Sequence, residues 1–452
     1  VTRDGVTYDF GTLDDVQPEI STNAYDPVDG DKRIPAGSVS IADKVTYSGL
    51  AKGEEYKLVT TVVDAETGEA IEADGQPVSV TTTFTATGTT GQTVVEMEIP
   101  TYELGGRTVT VYEELFFADG TLAAEHKNKG DVDQQLRVIA PEIGTTAQDG
   151  VDGDHDIVTD DTSTVVDTVS YVNLIPGKEY TVTGTLHVKK VAEDGTVTEE
   201  ALLDADGSPV TAQTTFTPET ADGTVDVTFT FDTLGLEQGT EIVAFESLHL
   251  DGYELAVHAD VNDEAQTVTV IRPEIGTTAK DGADGDKYVT ADPETTLVDT
   301  VAYKNLVPGK EHTVTGTLHV KKVAEDGTVT EEALLDADGS PVTAQTTFTP
   351  ETADGTVDVT FMFDTSALAQ GTDLVVFESL SRGDVELAVH ADVNDEAQTV
   401  TITHPEIGTT AKDGFDGDKT VISDGETTVV DTIAYKNLVP GKEYTVTGTL
   451  HV

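Results

Sequence analysis

An aspartate recurs where a core residue belongs. In an alternating segment, residues two apart share one side of a strand. By that parity Asp167 lies with Val165, Val169 and Tyr171, and Asp43 with Ile41, Val45 and Tyr47. Asp299 lies with Leu297, Val301 and Tyr303, and Asp431 with Val429, Ile433 and Tyr435. A glutamate follows the same rule: Glu246 with Ile242, Ala244 and Leu248, Glu113 with Val109, Val111 and Leu115, Glu378 with Leu374, Val376 and Leu380. Gln134, Gln266 and Gln398 share faces with Leu136 and Val138, Val268 and Val270, and Val400 and Ile402. Thr22, Thr145 and Thr277 each sit between an Ile and an Ala of the same parity. His126, His258 and His390 follow Ala124, Ala256 and Ala388, although Glu254 and Asp260 share the parity of His258 and weaken its inward assignment.

Ionisable groups buried singly cost several kcal/mol each, so these five side chains are expected to meet. Their chemistry is then acyl transfer. A Thr hydroxyl becomes a nucleophile when a base, usually His, takes its proton. A Gln carboxamide is an acyl donor with ammonia as its leaving group. An Asp and a Glu forced together cannot both ionise; the protonated one is expected to donate to the developing oxyanion. The product is a Thr–Gln ester between the first and last strands, expected to lie side by side. Closure is intramolecular, so effective molarity takes the place of turnover.

The elements that must position these groups come in repeats. PEIGTTA begins at Pro141, Pro273 and Pro405, and PEISTNA at Pro18. Thr22, Thr145, Thr277 and Thr409 are therefore 123, 132 and 132 residues apart. Such a repeat is the length of an independent domain rather than of a solenoid unit. Period-two runs such as EYTVTGTLHV and TVDVTFTFD alternate with Gly, Pro, Asn and Asp turns, and no helical stripe stands out. The pattern predicts an all-β chain of tandem immunoglobulin-like β-sandwiches arranged as an elongated rod. The expected divisions are 1–17 as a linker or the end of an upstream segment, then sandwiches at 18–140, 141–272 and 273–404, and 405–452 as the truncated start of a fourth.

The signatures PEIGTT, VDTVSY, VAFESL and HADVNDEAQ together resemble the VaFE repeat, the Thr–Gln ester-bond domain of Gram-positive surface adhesins. The resemblance covers nearly the whole chain after residue 17, and the eight-residue step from His to Gln is intact in three repeats. It implies a bond from Thr22 to Gln134 assisted by Asp43, Glu113 and His126. In repeat two it implies Thr145 to Gln266 with Asp167, Glu246 and His258, and in repeat three Thr277 to Gln398 with Asp299, Glu378 and His390. Repeat one departs most, reading VYEEL for VAFESL and HKNKGDVDQ for HADVNDEAQ. Gln135 is a second acyl candidate there, although parity and spacing favour Gln134. Repeat four has Thr409 and Asp431 without the other three groups, and is expected to close no bond within this chain.

Composition removes other classes. With 85 acidic side chains against 25 basic ones, the net charge of −60 opposes nucleic-acid binding and docking on anionic lipid. The absence of Cys excludes disulfides, thiolate metal sites and a Cys nucleophile. No apolar run is long enough to span a bilayer. Four rival readings of the polar residues remain. They could form only a buried hydrogen-bond network. A Lys–Asn isopeptide is opposed by Gln148 standing where repeat three has Lys280, and by Gly130 where repeat two has Asn262. A Thr/His/Asp hydrolase lacks a nucleophile elbow. The turns DPVDGD, DGVDGD, DGADGD and DGFDGD could hold Ca²⁺, but Asp-Gly is also ordinary turn chemistry. His187 and His319 read as strand-surface residues.

The expected role is a structural stalk segment of a Gram-positive surface adhesin or fibre, extracellular and anchored to the cell wall through a part of the parent protein outside this chain. It needs no cofactor or metal and turns over no substrate. Its partners are further repeats of the same chain, and a host ligand would be bound by a tip domain elsewhere. It is expected to be monomeric and to touch neither nucleic acid nor membrane. The alternative is a ligand-binding adhesin module whose polar core is only a hydrogen-bond network.

Overall fold

The computed structural model describes residues 2–3, 6–7 and 16–452. The expected linker over 1–17 therefore lies largely outside the described residues. The fold is nearly all β, in tandem pairs of sheets. In repeat three, Thr295–Lys304 forms the centre of a three-stranded sheet, flanked by Glu274–Asp281 and Gly355–Phe363. The facing sheet runs in the order Tyr288–Thr290, Thr399–Thr403, Asp373–Arg382, His312–Val323, Val329–Ala333. Thr343–Phe348 adds to His312–Val323, and Val385–His390 adds to Asp373–Arg382.

Alternation explains why these runs are strands. Thr295, Leu297, Asp299, Val301 and Tyr303 are buried, while the residues between them are less so. Leu297, Val301, Val314, Leu318, Val359, Phe361, Leu374, Val376, Leu380, Val400 and Ile402 make one core, each large side chain contributing about 1.5–3 kcal/mol on burial. One position in that core requires glycine: a Cβ on Gly316 would lie 2.5 Å from the Phe361 ring, and one on Gly184 equally close to Phe229.

Repeat one has the same two sheets, with Glu19–Tyr25, Ser38–Ser48 and Thr90–Pro100 in the smaller. Repeat two places Glu142–Asp149, Ser163–Val172 and Gly223–Phe231 likewise. The described part of repeat four pairs Glu406–Asp413 with Val429–Lys436.

The structure corrects one expectation. First and last strands do not lie side by side in a ladder; they belong to opposite sheets. The reason is that both edges of the last strand are occupied. Thr399–Thr403 pairs with Asp373–Arg382 on one side and, in parallel, with Tyr288–Thr290 on the other. The first strand instead touches the turn just ahead of the last: Ala279 N–H donates to the Ala397 carbonyl at 2.9 Å, and Ala24 to Asp133 at 2.9 Å.

Candidate functional site

Each site is assembled from both sheets. Thr145 faces Val169 across the ladder and Ala147 faces Asp167, so Thr145 and Asp167 are diagonal neighbours on the interior face. The same register sets Thr22 near Asp43 and Thr277 near Asp299. In the opposite sheet Glu113, Glu246 and Glu378 stand directly across from His126, His258 and His390. Gln266 closes a 3₁₀ turn, Glu264–Gln266, capped by the Asp263 side chain, and points inward just before the last strand. Asp, Glu and Gln are at most 1% exposed in all three repeats, and the Thr residues 6–7%. The sites of repeats one and two fall in one compact unit of the chain and that of repeat three in the other.

The glutamine amide is oriented by its neighbours. Gln266 Nε2 donates to the Ala244 carbonyl at 2.8 Å and to Glu246 Oε2 at 3.1 Å. Gln398 Nε2 donates to Glu378 Oε2 at 3.0 Å and to the His390 carbonyl at 3.3 Å. A carbonyl only accepts, so the amide nitrogen is the end that faces the glutamate. Glu246 and Glu378 are also within reach of Thr145 and Thr277. In repeat one Gln134 Nε2 donates directly to Thr22 Oγ1 at 2.7 Å.

Many of these buried atoms lack a hydrogen-bond partner. Among the described residues they include Thr145 and Thr277 Oγ1, both carboxyl oxygens of Asp43, Asp167 and Asp299, and Oε1 of Gln134, Gln266 and Gln398. Each such atom costs about 1–3 kcal/mol in a protein interior. The polar neighbours of Asp167 include Glu246 and Thr145, and those of Asp299 include Glu378 and Thr277. Two carboxyl groups can bond each other only when one carries a proton. Burial, with the nearby aspartate adding to it, pushes Glu246 and Glu378 up to about 10. Burial also raises Asp167 and Asp299, but contact with the glutamate and the threonine hydroxyl opposes the rise. Burial thus favours the neutral form of both carboxyl groups, and each pair titrates as a unit.

The histidines are not core residues. Their side chains are 21–26% exposed. Nδ1 of His126, His258 and His390 faces the carbonyl of Ile20, Ile143 and Ile275 at 3.4, 3.3 and 3.1 Å. Nε2 faces Oδ2 of Asp131, Asp263 and Asp395 at 2.9, 3.0 and 3.0 Å. Both ring nitrogens are thus engaged away from the threonine. That differs from a base poised on the threonine, and no hydrogen bond joins ring and threonine hydroxyl among the described residues. Sequence parity missed these three aspartates. The signal was present: between His and Gln, the fifth position alone carries the same residue in all three repeats.

Repeat one is wired differently at one point. Where Gly184 and Gly316 stand opposite Glu246 and Glu378, repeat one has Thr60 opposite Glu113. Thr60 Oγ1 donates to Glu113 Oε1 at 2.6 Å. Room for Thr60 exists because Met97 replaces the phenylalanine at the core position facing the same sheet. Burial pushes Glu113 up to about 9, and the hydroxyl, which favours the ionised carboxylate, opposes the rise. Any step that needs the glutamate proton should therefore have an upper pH limit in repeat one that the Thr60 hydroxyl lowers. Thr60→Val should move repeat one's limit upward, as read from the pH dependence of its cross-linked peptide; an unchanged limit would refute this wiring.

Other sequence candidates separate from the site. Gln135 is turned outward, its amide donating to the Lys129 carbonyl. His187 and His319 are half-buried and lie against Phe245 and Phe377, with ring centroids 4.4 and 4.3 Å apart, rather than standing free on the surface. The DGxDGD turns are braced by their own aspartates, as Asp149 Oδ1 accepts from Val151 N–H at 2.9 Å, and no metal-holding group of side chains occurs among the described residues. Thr409 and Asp431 keep the register of the other repeats but are exposed.

A β-sandwich that brings a threonine, a glutamine and a proton-sharing carboxyl pair together in its interior defines a class of domain built around that pair. The family model described as "T-Q ester bond containing domain" matches residues 18–138, 141–270, 273–402 and 405–452, and the chain belongs to that family. No curated protein matches the chain. Among solved structures, a Mobiluncus mulieris bacterial adhesin containing intramolecular disulfide, isopeptide and ester bond cross-links is 16% identical, covering 66% of this chain and 97% of its own at a TM-score of 0.24. The three N-terminal domains of the bacteriophage RB49 highly immunogenic outer capsid protein are 10% identical, covering 86% of this chain and 99% of their own at a TM-score of 0.24.

Proposed function

We propose that the chain is a structural stalk segment of a bacterial cell-surface adhesin or fibre, in which each complete repeat closes an intramolecular Thr–Gln ester and releases ammonia. The repeats are taken as 18–140, 141–272 and 273–404, with 405–452 as the start of a fourth. The observation that carries the ester is the buried cluster in which Thr, Gln and an Asp–Glu pair converge. Family membership supports the same chemistry.

In repeat two the steps are as follows. Thr145 Oγ1 attacks the Gln266 side-chain carbonyl carbon, and its proton passes to Asp167, the carboxylate beside it. The C–N bond breaks as Glu246 gives its proton to the departing nitrogen, which leaves as ammonia. The proton on Asp167 then returns to Glu246. His258, held between Ile143 and Asp263, favours the ionised Asp167 through its charge. This assigns the glutamate to the leaving group rather than to the oxyanion, and the aspartate rather than the histidine to the hydroxyl. Repeat three runs through Thr277, Asp299, Glu378, His390 and Gln398, and repeat one through Thr22, Asp43, Glu113, His126 and Gln134.

Each domain reacts once, so the chain is a self-cross-linking structure and not a turnover enzyme. The bond ties the first strand to the turn before the last and brackets the sandwich, which suits a load-bearing segment outside the cell. Anchoring to the wall and binding of a host ligand belong to other parts of the parent protein in this reading. Intact mass in denaturant tests it. The 47.7 kDa chain should weigh less than its sequence by three ammonias. A mass equal to the sequence would leave only a hydrogen-bond network and end the ester reading.

A further inference from the structure

We propose that Lys287, and Lys32 in repeat one, are positioning residues for ester closure, each ammonium clamping the threonine strand to the glutamine turn. The inference rests on the ester reading above and adds a residue to it. Lys287 Nζ donates to the Ala279 carbonyl at 2.6 Å and to the Ala397 carbonyl. Ala279 lies two residues beyond Thr277, and Ala397 immediately precedes Gln398. Lys32 Nζ donates to the Ala24 carbonyl, to the Asp133 carbonyl at 2.6 Å and to Asn23 Oδ1 at 2.6 Å. Ala24 lies two residues beyond Thr22, and Asp133 immediately precedes Gln134. The same pair of positions is therefore gripped in both repeats, each time by the residue ten places after the threonine.

The fold gives this grip a purpose. First and last strands share no ladder, so the separation of Thr from Gln is not set by sheet hydrogen bonds. In repeats one and three a single backbone bond joins the two segments at the position the lysine grips. An ammonium that accepts nothing and donates three times can hold both carbonyls at once and draw hydroxyl and carboxamide together. Its charge also lies near the reacting aspartate: Asp299 and Asp395 face Lys287, with Lys280 opposing, and Asp133, Asp43 and Asp131 face Lys32.

Repeat two is an internal comparison. His155 occupies the matching position, and its Nδ1 faces the Thr267 carbonyl at 3.0 Å, on the far side of Gln266 from the residue a lysine would grip. Among the described residues no ammonium bridges its strand and turn.

The test is a pulse of cell-free synthesis of the full chain, with samples quenched in denaturant over time. Digestion then reports the cross-linked fraction of each Thr–Gln peptide separately. Lys287→Met should slow closure of Thr277–Gln398 by about tenfold or more, since misplacement by about 1 Å costs up to about a hundredfold. Closure in the other two repeats should keep its rate. Lys287→Arg, which can still donate to two carbonyls, should recover most of the loss, a rescue that a loss of folding would not give selectively. His155→Lys should accelerate closure of Thr145–Gln266, and unfolding cannot produce a gain. An unchanged rate in Lys287→Met, an arginine variant as slow as the methionine one, or no acceleration in His155→Lys overturns the clamp while leaving the ester in place. No cross-linked peptide in any repeat of the unaltered chain overturns the ester reading and the clamp with it.

Discussion

Thr277→Ala should lower the unfolding free energy of repeat three by about 5 kcal/mol relative to the closed repeat. The bond from Thr277 to Gln398 closes a loop of 121 residues, and most of its effect comes from the conformations it denies the unfolded chain. Against the ~5–15 kcal/mol of a typical domain, that is a large fraction. The substitution itself removes little packing, because it truncates one small side chain within the first strand. Denaturant titration followed by limited proteolysis, read repeat by repeat, measures the difference; equal midpoints for open and closed forms would remove the stabilising role.

The open variant should also show a pH dependence of definite sign. Burial holds Glu378 protonated up to about 10, against 4.5 for the ordinary side chain. Between those values the native state keeps a proton that the unfolded chain has lost. Its contribution is complete below about 4.5 and is lost as pH rises toward 10. The open repeat should therefore be more stable at pH 5 than at pH 8. Its raised neighbour Asp299 acts in the same direction.

Glu246→Gln should slow closure of repeat two by about 10²–10³, while repeats one and three close as before. The amide has the shape of the carboxyl group and can still donate a hydrogen bond, so the core is preserved. What it lacks is a proton to give to the nitrogen of Gln266, 3.1 Å away. Expelling an amide anion in place of ammonia is the expensive alternative. The fresh chain should be short by two ammonias and acquire the third deficit slowly. A prompt loss of three would mean that the glutamate acts only as a dipole.

The charge of −60 takes on two meanings in this light. Most of the acids are solvated surface. Six of them, the Asp and Glu of three sites, are at most 1% exposed and serve the proposed reaction instead.

What the sequence determined by itself was local and repeated. Strand alternation has a period of two, so parity alone set Asp167, Glu246 and Gln266 among apolar neighbours, and three to four copies of the pattern removed accident. The all-β class, the tandem repeats and the membership of the polar set followed from that. What only the tertiary structure decided is where the two sheets face each other. Parity names a face but not the residue across the gap, and partners here are over a hundred residues apart. Hence the opposite-sheet placement of first and last strands, the histidine at the margin and the lysine grip were not readable beforehand. The raised proton affinity of the buried carboxyl pair belongs with them. Desolvation is a sum over everything packed around a carboxyl group, and no window of sequence contains that sum.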